Sequence, residues 1–91
     1  MKRKLLINQY ESVRSLIVAN VDTMINLVKQ AESLTELANS LKEYKSQQSE
    51  ETASKIEEIA AGLRLTMKDL LEKTGELFDE YYKFAEEVFD N

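Results

Sequence analysis

From Leu6 onward the apolar residues return at alternating steps of four and three: Leu6, Tyr10, Val13, Ile17, Asn20, Met24, Leu27, Ala31, Leu34, Ala38 and Leu41, with only Asn20 polar. That spacing holds one stripe on one side of an α-helix; a strand would need period two. It predicts a helix over about 5–45. A second series, Ala53, Ile56, Ala60, Leu63, Met67, Leu70, Thr74, Leu77, Tyr81, Phe84 and Val88, is interrupted only by Thr74. It predicts a helix over about 50–89. Between them, Tyr44-Lys45-Ser46-Gln47-Gln48-Ser49-Glu50-Glu51 carries no seam residue, and Ser49 followed by two carboxylates reads as an N-cap with charges suited to the helix dipole.

The turn is therefore expected near 46–49, and so short a connection makes the helices antiparallel neighbours. The expected fold is all-α: a two-helix hairpin occupying the chain as a single domain over 1–91. Counting outward from the turn sets Leu41 opposite Ala53, Leu34 opposite Ala60, Leu27 opposite Met67 and Leu6 opposite Val88. The same register sets Asn20 opposite Thr74. A lone polar side chain in an apolar seam is costly, so two in one layer support this pairing; the alternative is that each is tolerated separately. The register also brings Lys2, Arg3 and Lys4 beside Glu86, Glu87 and Asp90, weak support because exposed ion pairs contribute little. A shorter bundle competes, with Ser33-Leu34-Thr35-Glu36 as a capping box and Thr74-Gly75 as a helix stop, but both seams run unbroken through those places.

One position past the seam, the first helix carries Ile7, Val18, Val21, Ile25 and Val28, and the second carries Leu71, Phe78, Tyr82, Ala85 and Phe89. None is needed to close the hairpin. The other flank of the second helix is largely charged or polar, with Lys55, Asp69, Lys73, Glu76 and Glu80 among its residues. Equivalent flanks of antiparallel helices lie on the same side of their contact, so the two apolar stripes should merge. They would offer on the order of 500–800 Å², more than a lone soluble protein usually exposes. At about 25 cal/mol per Å² this is roughly 12–20 kcal/mol of unrealised gross burial. Two helices also enclose no core, so dimerisation into a four-helix bundle is expected, with Val18, Val21, Ile25, Val28, Leu71, Phe78, Tyr82 and Phe89 as the partner interface. The competing possibility is that the chain bends and buries these residues itself.

Composition removes most other chemistry. With no proline and two glycines in 91 residues, little interrupts a helix. The absence of Cys and His excludes disulfides and the common zinc and di-iron ligand sets, so no cofactor or metal is expected. Oligomerisation is the remaining support for so small a fold. A net charge of −5 argues against nucleic acid and anionic lipid as partners. Met1-Lys2-Arg3-Lys4-Leu5-Leu6-Ile7 starts like a signal peptide, but Asn8, Gln9 and Glu11 end the apolar run early, and no segment has the length of a membrane span. A cytoplasmic location is expected, or secretion without a cleaved signal. Glu50, Glu51, Glu57, Glu58, Glu86 and Glu87 have no His, Cys or Gly-rich loop to combine with, so no enzyme activity is expected.

Near the end stands Tyr82-Lys83-Phe84-Ala85-Glu86, with Phe89 three residues further on. A helical hairpin of this length, turning near its middle and carrying this element, resembles the WXG-type small proteins of the type VII secretion system. Tyr82 and Glu86 match that family's C-terminal Y-x-x-x-D/E export signal. The chain has no Trp, and 44–49 contains no W-x-G or glycine, so the resemblance is to divergent members without the turn motif. It implies homo- or heterodimeric four-helix bundles and, for some members, escort of larger toxins with related helical domains. Two functions follow as expectations. One is a non-enzymatic protein–protein interaction module, a small partner or targeting factor of a type VII-like pathway whose partner is a helical protein. The other is an intracellular helical regulator or immunity-type protein that neutralises a protein or peptide.

Overall fold

The computed structural model describes residues 2–89. They form an all-helical hairpin of two packed helices, α1 (Lys2–Lys42) and α2 (Gln47–Phe89). The hairpin is a rod of 67 × 15 × 15 Å with a radius of gyration of 20.2 Å. A compact chain of this length would have about 12 Å.

All eleven residues of each predicted seam are buried or half-buried, and nearly every other residue is exposed. Along the turn half the seam is built on alanine: Ala31, Ala38, Ala53 and Ala60 are almost wholly enclosed. Small side chains there allow close approach of the two backbones. Toward the open end the seam turns bulky. The rings of Tyr10 and Tyr81 stack at 4.8 Å between centroids, their phenol oxygens are 2.7 Å apart, and Phe89 meets Tyr10 edge-on at 5.8 Å.

The turn lies three residues earlier than the expected 46–49. α1 closes with hydrogen bonds from the amides of Glu43, Tyr44 and Lys45 to the carbonyls of Ser40, Leu41 and Lys42. Lys45 then takes φ 53°, the left-handed conformation that usually falls to glycine after a helix. The N-cap is Ser46 rather than Ser49. Its hydroxyl oxygen accepts the Ser49 amide at 3.1 Å, and its carbonyl accepts the Glu50 amide at 3.0 Å. Ser49 thus sits inside the first turn of α2, and Glu50 still places a carboxylate near the positive end of the helix dipole.

α1 is continuous through Ser33-Leu34-Thr35-Glu36, and α2 through Thr74-Gly75, so neither place ends a helix. Thr35 and Thr74 spend their hydroxyls on carbonyls one turn back, those of Ala31 at 2.9 Å and Leu70 at 2.6 Å. This also alters the reading of the polar layer. Thr74 is 2% exposed and satisfied within its own helix, and no hydrogen bond joins it to half-buried Asn20 among the described residues. Of the charges expected to meet at the open end, Asp90 lies outside the described residues.

Candidate partner-docking flank

Two polar contacts define the flank that borders the seam. The Arg64 guanidinium donates to the Thr35 hydroxyl at 2.8 Å, and the Lys42 ammonium pairs with the Glu57 carboxylate. Each of these four residues stands one position past a seam residue, so equivalent positions of α1 and α2 do face each other across the contact. Helical repetition then fixes the composition of the flank toward the open end. Seven residues on from Thr35 and Arg64 come Val28 and Leu71; seven further come Val21 and Phe78. The flank is therefore closed by polar cross-links near the turn and lined beyond them by the apolar pairs Val28–Leu71 and Val21–Phe78, after which Arg14 takes the same position on α1.

All eight residues expected at the interface are exposed, among them Val18 at 53%, Tyr82 at 62% and Phe89 at 70%. Ile7 is exposed as well, while Ala85 is half-buried. Phe78 and Tyr82 stack on each other with centroids 6.4 Å apart, and Tyr81 meets Tyr82 edge-on at 5.7 Å. The seam thus continues outward into an aromatic surface without covering it. On the α1 side, Met24, Ile25, Val28, Lys29 and Glu32 line a depression of about 380 Å³.

Surface area gives the scale. The chain exposes 7051 Å², against about 5,400 Å² for a compact monomer of its mass. The excess is about twice the roughly 800 Å² that one partner contributes to a standard interface. Leu16, Leu37, Ile59 and Leu65 are also exposed, but they lie elsewhere on the rod. Sequence reasoning left them unassigned. It also missed both polar cross-links, although Thr35, Arg64, Lys42 and Glu57 share a helical position and could have been paired by extending the register.

The expected export element is accessible. Tyr82 and Glu86 are both exposed on α2, one helical turn apart, while Phe84 between them turns into the seam. Glu50, Glu51, Glu58, Glu86 and Glu87 are exposed, and half-buried Glu57 is engaged by Lys42. No group of three or more metal-ligating side chains occurs among the described residues, and no described helix is long and apolar enough to cross a membrane.

These features define a helical hairpin with one unfilled apolar flank. No protein-family model matches the chain, and no curated protein or solved structure matches it significantly.

Proposed function

We propose that this chain is a non-enzymatic interaction protein that seats a helical partner on the flank of Val18, Val21, Ile25, Val28, Leu71, Phe78, Tyr82 and Phe89. One observation carries the reading: none of the eight belongs to the seam, and all remain exposed once it has closed. A second hairpin laid here, of the same or another sequence, would complete a four-helix bundle. Val21→Glu or Phe78→Lys places a charge where a partner must be dry, while in the single copy it stays hydrated. Association should weaken at least about 100-fold with helicity unchanged, as for other charges buried unpaired. Unchanged association, read by sedimentation, would remove this flank as the interface.

The pathway reading is that the chain is a partner or targeting factor exported by a type VII-like route. It is supported by the exposure of Tyr82 and Glu86, spaced one turn apart where an export machinery could read them. Tyr82→Ala and Glu86→Ala should each abolish export from the native host while the circular dichroism spectrum stays helical. Export that continues in both variants would remove this pair as a signal, and retention of the unaltered chain in the host cell points instead to a cytoplasmic regulator.

A further inference from the structure

The chemistry of the occupant can be narrowed further, on the footing of the flank just proposed. The apolar part of the flank runs from Leu71 to Phe89 on α2, about 27 Å of a 67 Å rod, and from Val18 to Val28 on α1, where exposed Glu11 and Arg14 separate it from Ile7. It stops where Thr35–Arg64 and Lys42–Glu57 close the groove. Toward its turn-side end is Gly75, beside which a Cβ would meet nothing within 4 Å, so a backbone can come close there. These dimensions fit one helix of about 20 residues lying lengthwise between α1 and α2.

On the α2 side one row beyond the flank is acidic. Glu72, Asp79 and Glu86 each follow a flank residue directly, recur at seven-residue spacing and are exposed. None of the three forms an ion pair among the described residues. The matching row on α1 is Ser15, Asp22 and Lys29. A second copy would therefore bring either the acidic row or this mixed row against Glu72, Asp79 and Glu86, and the mixed row offers only Lys29, offset by Asp22, against three carboxylates.

We infer that the occupant is an amphipathic helix of a different protein, about 20 residues long, whose apolar stripe is bordered by Lys or Arg at seven-residue spacing. Burial of the stripe supplies the attraction, and the basic row selects the partner and its direction.

The test uses the full chain and two labelled synthetic helices of 21 residues, identical in their Leu/Ile stripe and bordered by Lys in one and Glu in the other. Anisotropy at low salt should show the Lys helix binding at least about 10-fold more tightly, as three weak ion pairs allow. The preference should fade at high salt and reverse in the triple variant E72K/D79K/E86K. Binding of the Lys helix should also be lost in Val21→Glu, which a merely electrostatic attraction would survive. Equal binding of both helices, lost alike in Val21→Glu, overturns the basic partner and leaves the flank standing. Binding that ignores Val21→Glu overturns both. A tight self-dimer that excludes both helices identifies the occupant as a second copy and overturns the inference.

Discussion

Tyr10 and Tyr81 hold the open end of the hairpin through a stacked ring pair and a hydroxyl contact of 2.7 Å. That hydrogen bond, aided by desolvation, favours the neutral hydroxyl and raises the Tyr10 phenol above its ordinary value of 10.0. The sign follows by linkage. A group whose folded-state value lies above its unfolded value contributes stability that is present in full below the unfolded value and is lost as pH rises through the folded one. Raising pH from about 9 to about 11, across the phenol range, should therefore reduce the unfolding free energy of the native chain more than that of Tyr10→Phe. Urea titrations at both pH values check this; parallel losses would show that the Tyr10 hydroxyl contributes nothing. At the other end of the rod, Lys45 adopts a left-handed conformation that a side chain makes costly. Lys45→Gly should raise stability by about 0.5–1 kcal/mol, and a fall would mean that the lysine side chain has a role its backbone conformation does not reveal.

At the scale of the helices, the seam was readable in the sequence because its pattern is redundant. Eleven positions on each helix repeat one spacing, and a slip of one residue would have turned Val13, Ile17, Ala53 and Ala60 outward together. The turn was less readable because it depends on a few local choices. Ser46 and Ser49 both precede a helical run of suitable composition, and no glycine marks the left-handed residue that Lys45 supplies. The exposed flank positions were legible for the same reason as the seam, since a residue one place past it must lie on the flank. The chemistry along that flank was not, because Arg64 with Thr35 and Lys42 with Glu57 pair only once the two helices are in register. Within the seam, Thr74 satisfies its hydroxyl on the Leu70 carbonyl, so its presence does not require Asn20. Asn20 occupies a half-buried position where an apolar side chain would bury more hydrocarbon. Asn20→Leu should therefore stabilise the hairpin by about 1 kcal/mol, read from chemical denaturation. A loss of similar size would show that Asn20 holds the register through a partnership with Thr74 or ordered water.

For the whole molecule, shape decides whether a partner surface exists. Two helices of 41 and 43 residues bury a narrow seam between them and leave one flank of the open half uncovered. The elongation of the rod and its uncovered flank have one origin, since only a chain that folded a helix back on itself could become compact and bury Val21, Ile25, Leu71 and Phe78 unaided. Continuity of α1 through Ser33–Glu36 and of α2 through Gly75 prevents this. Small-angle X-ray scattering of the dilute chain, with mass taken from the forward scattering, examines that point most directly. A single copy should give a rod-like profile with a radius of gyration near 20 Å, matching the 20.2 Å of the hairpin. A single copy of about 12 Å, the value for a compact chain of this length, would contradict an open flank, because the helices would then have bent and taken those side chains inside.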